Sequence, residues 1–284
     1  MTKIAATVVL YNPDESIIEN IKTYIDEVDK VYVVDNSNED NSSLLFKNKK
    51  IVYIPNMENV GVSKALNTAA TQAIKDKYKW LLTMDQDSRF EKDNLKKMIK
   101  YLDDNKKELN KIGLISPWHE IKTGIKKPKA KIEDVVEVMT SGNIINLDAY
   151  QKIGGYKDWL FIDGIDFDYC MNLNVHGYKV RRLNYCNMKH ELGDIKVVHL
   201  LGRDFVCSNH NPIRRYYMAR NNHYIYDMYK EYFPGYCENI IKGLDGQFRN
   251  ILVFEKNKYK KIRNMKRGYR DYKKGITGKY NYKN

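Results

Sequence analysis

Two carboxylates one residue apart, Asp85 and Asp87, close the apolar run Trp80-Leu81-Leu82-Thr83-Met84. On a buried strand alternate side chains share a face, so the pair is expected to converge. Two converging carboxylates need a cation. Hard divalent ions such as Mg2+ or Mn2+ take one or two protein carboxylates and complete their shell with phosphate oxygens and water. The chemistry predicted is a metal-diphosphate site at a strand end. A solvated turn after a core strand would carry the same residues, so the rest of the chain has to decide.

Other residue types point the same way. Three further aspartates, Asp163, Asp166 and Asp168, sit among aromatic and apolar neighbours between Trp159 and Leu173, where a carboxylate shielded from water can act as a general base. Capping of the helix expected from Phe167 toward Val175 is the competing role for Asp163 or Asp166. His190 is a candidate third metal ligand or a structural histidine. Arg214 or Arg215, together with Arg220, is spaced to meet a diphosphate, although arginines beside tyrosines also pack along grooves. Asp35 can accept from the N3–H of a pyrimidine while backbone N–H groups near Thr7 and Leu10 donate to the flanking carbonyls; it can equally close an Asp-Asn-Ser turn. Gly61 allows close backbone approach, with Lys64 reaching a phosphate or merely lying on the surface. Ser141-Gly142 offers a hydroxyl and bare backbone to a sugar, or an ordinary turn.

The elements that must position these groups alternate. Ile4 to Leu10 reads as a buried strand closed by Tyr11-Asn12-Pro13-Asp14, and Ser16 to Val28 has helical spacing. Lys30 to Val34 and Ile51 to Ile54 are further strands, and a helix beginning near Val62 precedes the strand Trp80 to Met84. This is a run of βαβ units, so the first hundred residues predict an open, mostly parallel α/β sheet with helices on both faces. Ligands in such sheets sit beyond the carboxyl ends of the strands, where Tyr11, Asp35, Asn59 and Asp87 fall. A helix over Asp93 to Asp103 and a strand over Ile112 to Pro117 follow. The Lys-rich stretch His119 to Lys131 is expected to be a loop over the site.

The chain has 284 residues, 43% hydrophobic and 30% charged, which suits a globular protein. No apolar run approaches the ~18 residues of a membrane span, and the N-terminus carries no secretory pattern, so a cytoplasmic location is expected. The four cysteines make no Cys-x-x-Cys pair and are expected to be packing residues. The net charge of +13 is concentrated at the end of the chain: from Gly235 to Asn284 there are fourteen Lys/Arg against four Asp/Glu. An apolar stripe (Ile240, Ile241, Leu244, Phe248, Ile251, Leu252) followed by the basic stretch Lys256 to Lys274 predicts either a membrane-surface contact or a helical hairpin packed on the core with a solvated basic face.

In this order, Thr7-Val8-Val9-Leu10-Tyr11-Asn12-Pro13, Val33-Val34-Asp35-Asn36-Ser37, Asn59-Val60-Gly61-Val62-Ser63-Lys64-Ala65-Leu66-Asn67, Met84-Asp85-Gln86-Asp87, Phe161-Ile162-Asp163-Gly164-Ile165-Asp166, His190-Glu191-Leu192-Gly193-Asp194 and Arg214-Arg215-Tyr216-Tyr217 with Arg220-Asn221 resemble the family 2 inverting glycosyltransferases of the GT-A fold, most closely their bacterial rhamnosyltransferase-like branch. The resemblance spans roughly residues 3 to 225. It implies a Rossmann-like mixed, mostly parallel sheet in a catalytic domain over 1–225, with a nucleotide-binding half (1–100) and an acceptor half (101–225), followed by a helical basic extension over 226–284. It further implies nucleotide recognition by Thr7, Tyr11 and Asp35 with Asp85 near the ribose, and Asp87 as principal ligand of Mn2+ or Mg2+, assisted by His190. Asp166 falls at the catalytic base and Asp163 against the acceptor or transferred sugar. Gln86, Asn59, Lys64, Ser141, Arg214, Arg215 and Arg220 complete the substrate-binding set. Where relatives often carry an arginine, six residues after the base, this chain has Asn172.

The partners implied are a dTDP- or UDP-sugar donor, a glycan or undecaprenyl-linked acceptor, and the inner leaflet, met through the basic tail; nucleic acid is not among them. Four rival readings use the same residues, one of them a catalytically dead glycan-binding relative, against which the presence of all the acidic positions counts. The strand followed by Asp-x-Asp-Ser resembles the nucleophile motif of haloacid-dehalogenase-type phosphatases, but there it follows the first strand. A sugar-nucleotide-synthesising enzyme would carry a Gly-rich loop after the first strand, and Tyr11-Asn12-Pro13-Asp14 is not one. A nucleic-acid-binding tail would bind with steep salt dependence and ignore sugar nucleotides.

Overall fold

The computed structural model describes residues 2–120, 126–190, 196–200 and 203–281, with 190, 196, 199, 200 and 203–206 described by backbone alone. It divides into two compact units, one of Met1–Asp158 with Tyr169–Glu191, the other of Trp159–Asp168 with Leu192–Asn284.

The first unit holds β1 (Ala5–Leu10), α1 (Ser16–Lys22), β2 (Lys30–Asp35), β3 (Ile51–Pro55), α2 (Val62–Lys75), β4 (Trp80–Asp85), β5 (Ser88–Phe90), α3 (Asn94–Asp104), β6 (Ile112–Glu120), β7 (Ile132–Asp134), β8 (Asn143–Asn146) and α4 (Leu147–Lys152). After α5 (Ile165–Val175), whose last seven residues belong to this unit, β9 (Lys179–His190) completes one nine-stranded sheet in the order β3-β2-β1-β4-β8-β6-β9-β5, with β7 on β9. The first four strands in that order are all parallel. Their register sets Leu10 beside Asp35, Asp35 beside Pro55, and Val9 beside Asp85, so four carboxyl ends come level at one edge. In the other half β8 is antiparallel to β4 and β6, β6 and β9 are parallel, and β5 and β7 are antiparallel to β9. The result is a mixed sheet flanked by helices, parallel throughout its first four strands.

Apolar burial fixes this layering. Ala6, Val8 and Leu10 of β1 join Ile17 and Ile21 of α1 and Leu95, Met98, Ile99 and Leu102 of α3 in one core, the helical residues recurring at three- and four-residue spacing. On α2 the buried residues are mostly alanines (Ala65, Ala69, Ala70, Ala73), whose small size lets the helix lie close on β1 and β2. Asn146 caps α4 by accepting from the N–H groups of Asp148 and Ala149. All four cysteines are buried and, among the described residues, none forms a disulfide, which suits packing residues.

The helix expected over Ser16 to Val28 stops at Lys22, and two further differences bear on the site. β4 ends at Asp85, Gln86 and Asp87 form a turn, and β5 runs back to pair antiparallel with β9. Strand alternation therefore does not carry through to Asp87, and the three-residue β5 is too short to leave a periodic trace in the sequence. His119, expected at the start of a loop, lies buried inside β6, whose pairing with β9 continues to Glu120 across a bulge; residues 121–125 lie outside the described residues.

The second unit contains the hairpin β10 (Lys196–Leu200) and β11 (Arg203–Cys207), then α6 (Pro212–Tyr229), α7 (Pro234–Val253) and α8 (Lys258–Lys273). Asn211 caps α6 through the N–H of Arg214, with Pro212 in the first turn, where its missing N–H costs nothing. The boundary expected at 225 falls inside α6. α8 packs along α6 at Gly268, where a Cβ would stand 2.3 Å from the Tyr216 carbonyl oxygen, so two backbones meet there. Ala219, Leu244, Ile251 and Met265 make the apolar centre between the three helices.

Candidate active site

In the first unit the strand ends are tied to one another. Gln86 accepts from the Tyr11 N–H at 2.8 Å while its own carbonyl accepts from Asn20 at 2.7 Å, so the turn after β4 is fastened to the exit of β1. The Asn12 N–H donates to Ser37, Asn36 donates to the Gly61 carbonyl, and Asn56 donates to Asn36, linking the exits of β1, β2 and β3 to the start of α2. Tyr11 is half exposed at this edge, Asp85 is half-buried, and Asp87 is exposed. Ser141 is wholly buried and its hydroxyl accepts from the Asp85 N–H at 3.0 Å. His119 Nε2 donates to the Ser141 carbonyl at 2.6 Å, which fixes the imidazole tautomer. Gly142 sits at φ +82°, a conformation that favours glycine, and a Cβ there would crowd the Met188 side chain at 2.4 Å. The Ser141-Gly142 turn therefore braces the end of β4.

Asp35 takes up the turn geometry. Its buried carboxylate accepts from the Ser37 N–H at 2.8 Å, from Asn41 at 2.9 Å and from the Tyr53 hydroxyl at 2.8 Å. A carboxylate has about four acceptor positions, so these bonds leave room for one more donor. Thr7 sits mid-strand between Tyr32 and Thr83, fully buried, with no hydrogen-bond partner for its hydroxyl among the described residues. Its backbone belongs to the ladders on both sides. Asn59 accepts from the Gly61 N–H, turning the chain into α2, and Lys64 is exposed in the first turn of that helix. Asn67, one turn on, donates to the Tyr156 carbonyl and the Asp158 carboxylate and accepts from Tyr150 and the Tyr156 N–H, anchoring the chain just before Trp159.

In the second unit, Trp159 to Asp168 carries the acidic cluster. Phe161, Asp163 and Gly164 all have positive φ (+67°, +64° and +80°), a conformation costing about 1 kcal/mol or more at each non-glycine position. Asp163 is held by Arg214 in a two-point ion pair, 2.6 Å to one oxygen and 3.3 Å to the other. Asp166 lies in the first turn of α5, half-buried, where a helix N-terminus favours negative charge. Asp168 is buried and accepts from the Tyr229 hydroxyl at 2.7 Å, which makes it structural. In the first-unit part of α5, Asn172 donates to the Ile153 carbonyl at 3.0 Å.

Two of the three arginines are corrected as diphosphate ligands. Arg215 is buried against Glu255 (2.6 Å), Gln247 and Ser208, and Glu255 in turn meets Lys261 at 2.8 Å. Burial alone would raise the Glu255 carboxyl, but Lys261 and Arg215 outweigh it and hold it below the ordinary value. Arg220, also buried, donates to the carbonyls of Gly278, Trp159 and Leu160. Both expectations rested on residue type and spacing, which carry no information about burial. His210, near this network, is pushed down to about 4 by its own burial and then by the charge of Arg214.

As for a metal, the donors at the end of β4 are carboxylate oxygens, the chemistry that Mg2+ and Mn2+ prefer, and backbone register sets His190 opposite Ser88, next to Asp87. The His190 side chain lies outside the described residues. Among the described residues no three His, Cys, Asp or Glu side chains gather as a metal cluster.

Comparisons with known proteins bear on this arrangement. Residues 6–116 match the family Glycosyl transferase family 2. The chain is 28% identical over 244 residues to the dTDP-rhamnosyl transferase RfbF of Shigella flexneri, covering 78% of each chain. Among solved structures it superposes on S. aureus TarS 1-349 with TM-score 0.56, 13% identity and coverage of 96% of this chain and 92% of that one. It superposes on GalNAc-T7 with UDP, GalNAc and Mn2+ with TM-score 0.57 and 12% identity, over 97% of this chain. The chain spans 44% of a longer TarS chain and 56% of GalNAc-T7, less than two thirds of either. At these identities the structural likenesses establish the fold, the GT-A arrangement expected from the sequence.

Proposed function

We propose that this chain, a glycosyltransferase with a family 2 domain over residues 6–116, transfers L-rhamnose from dTDP-rhamnose, with inversion, to a glycan or lipid-linked acceptor in bacterial surface-polysaccharide synthesis. The observation that carries the reading is the level edge of β1, β2 and β4, which brings Tyr11, Asp35 and Asp85-Gln86-Asp87 together where α/β sheets bind nucleotides. The choice of rhamnose rests on the likeness to a dTDP-rhamnosyl transferase.

In this reading Asp35, with one acceptor position left, takes the N3–H of thymine, Tyr11 covers the base from its exposed position, and Asp85 orients the ribose. Asn59 and Lys64, at the start of α2, face the phosphates, where helix N–H groups and a lysine suit an anion. Asp87 and Asp85, with His190, would hold Mn2+ or Mg2+, whose positive charge supplies stabilisation for the leaving diphosphate. Asp166 accepts the proton of the attacking hydroxyl as its oxygen bonds to C1; the C1–O bond to the diphosphate breaks, and that electron pair leaves with the phosphate oxygen. Asp163, clamped by Arg214, orients the acceptor or the transferred sugar rather than exchanging protons.

The test is donor hydrolysis across dTDP-, UDP- and GDP-sugars with Mn2+ or Mg2+. The expected result is turnover of dTDP-rhamnose above the others. Preference for a UDP-hexose would move the donor assignment, and no turnover of any sugar nucleotide with either ion would overturn the reading.

A further inference from the structure

The bond pattern around the strained loop assigns a task to the end of the chain. Asn221, fully buried on α6, points its Nδ2 at the carbonyls of Leu160, Ile162 and Asp163 at 2.8 to 2.9 Å. Beside it Arg220 donates to the Trp159 and Leu160 carbonyls at 3.2 and 3.3 Å, to the Gly278 carbonyl at 2.6 Å and to the Asn221 side-chain oxygen at 2.9 Å. Its guanidinium stands over the rings of Tyr216 and Tyr217, and none of these partners is a carboxylate. A buried cation is costly to keep, and among the described residues its hydrogen bonds go to carbonyls and one side-chain amide oxygen. The C-terminal segment closes the arrangement. The Gly278 N–H donates to the Trp159 carbonyl at 2.8 Å, the Tyr280 N–H donates to the Tyr217 hydroxyl at 2.6 Å, and the Tyr280 ring lies against Tyr216 and under Arg267. Phe161, one of the positive-φ residues, stacks on Tyr217 at 5.2 Å. Gly164 is fitted so closely that a Cβ would meet Ile225 at 2.6 Å.

We propose that Arg220, Asn221 and the strap Gly278–Tyr280 are positioning residues: together they hold residues 159–164 in a strained conformation and so set where Asp163 and Asp166 are presented. The inference rests on the reading of Asp166 as the base. Without these donors the carbonyls of 162 and 163 lose the Asn221 amide, that of 160 keeps the Ile162 N–H, and the strained conformation is left to the Arg214 clamp and the Phe161 stack. The basic extension is then part of the machinery that places the base, not an appendage to it.

The experiment compares full-length Asn221→Ala, Arg220→Lys, Gly278→Pro, Asp166→Asn and Ile251→Ala for dTDP-rhamnose hydrolysis, dTDP affinity and melting temperature, with kinetics read at least 15 °C below the lowest melting point. Gly278→Pro disrupts the strap, because proline cannot adopt the φ of +76° that Gly278 holds, so its bonds to Trp159 and to Arg220 are both lost while the sequence of α6 is unchanged; Ile251→Ala opens a cavity between the same helices without touching the loop. Asn221→Ala, Arg220→Lys and Gly278→Pro are expected to lose about 100-fold in kcat with dTDP affinity unchanged within twofold, while Ile251→Ala melts lower and keeps its kcat. Wild-type kcat in the strap and α6 variants beside an inactive Asp166→Asn overturns the positioning role and leaves the base standing. An equal kcat loss in Ile251→Ala overturns it as well, since general loosening of the helices would then suffice. An active Asp166→Asn overturns the reading of the base and this inference with it. If Asn221→Ala and Arg220→Lys fail to fold, Gly278→Pro against Ile251→Ala decides.

Discussion

The two carboxylates on either side of Gln86 stand in different surroundings. Asp85 receives the backbone brace of Ser141 and is half-buried, while Asp87 stands exposed on a turn. Asp87→Ala is therefore expected to abolish the gain in dTDP affinity that Mn2+ gives, leaving metal-free affinity within a few-fold of wild type; titration calorimetry with and without Mn2+ reads both. Asp166→Asn should instead remove turnover by about 10³-fold or more while sparing donor binding, since it deletes only proton acceptance. His210 gives a prediction of a different kind. Its folded pKa of about 4 lies below the ordinary 6.5, so the unfolded chain binds the proton more readily. The stability it contributes is complete above about pH 6.5 and is lost as pH falls through 6.5 toward 4. Urea midpoints should slope across that window in the wild type and flatten in His210→Gln; equal slopes would remove His210 as the cause. At this scale the sequence was legible where position follows pattern, as with Asp35 and Asp85 at the ends of β2 and β4. It was not where burial decides: Arg215 and Arg220 have the type and spacing of anion ligands and turn out to be committed to Glu255 and to backbone carbonyls. His119 gave no usable signal, because its role depends on a strand pairing 22 residues away from Ser141.

Among the elements, the parallel strands were readable because β-branched runs alternated with amphipathic helices at βαβ spacing, whereas β5 and β7, three residues each, exist only through pairing with β9. α6 and α8 were readable as helices, but their mutual approach was not. It depends on Gly268, a glycine in a helix interior that by propensity alone would be a defect of about 1 kcal/mol. Its reason is the Tyr216 carbonyl, which a Cβ would meet at 2.3 Å. Gly268→Ala should therefore destabilise despite the gain in helix propensity, by about 1–3 kcal/mol, because the obstructing atom is backbone and cannot swing aside. Melting temperature checks the sign. An alanine that stabilises would mean that the helices have slack at this contact.

On the scale of the whole chain, the surplus of positive charge is divided by α8 into two populations. Lys261 is buried with Glu255 and Asn209, and Asp271 is buried against Tyr216, so part of the tail is interior. Deleting 256–284 would strip a face of α6, and loss of membrane binding after such a deletion would say little about anchoring. The outward population is more telling at the turn between α7 and α8, where Leu252, Val253 and Tyr259 are exposed (46%, 59% and 77%) among the exposed Lys256, Lys258 and Lys260. Among the described residues no helix is long and apolar enough to cross a membrane, but apolar side chains set among lysines suit contact with an anionic surface. Each lysine near such a surface contributes about 1 kcal/mol, so three give roughly 10²-fold in partitioning before the apolar groups are counted. We therefore predict binding to vesicles containing phosphatidylglycerol and little to neutral phosphatidylcholine, weakening as salt rises. Lys256→Glu with Lys258→Glu and Lys260→Glu should cut partitioning by 100-fold or more, and Leu252→Ser with Val253→Ser and Tyr259→Ser by about 10-fold, with dTDP affinity and melting temperature near wild type in both. Vesicle binding that survives both sets would move the contact away from this turn, and equal binding to neutral vesicles would remove electrostatics as its cause.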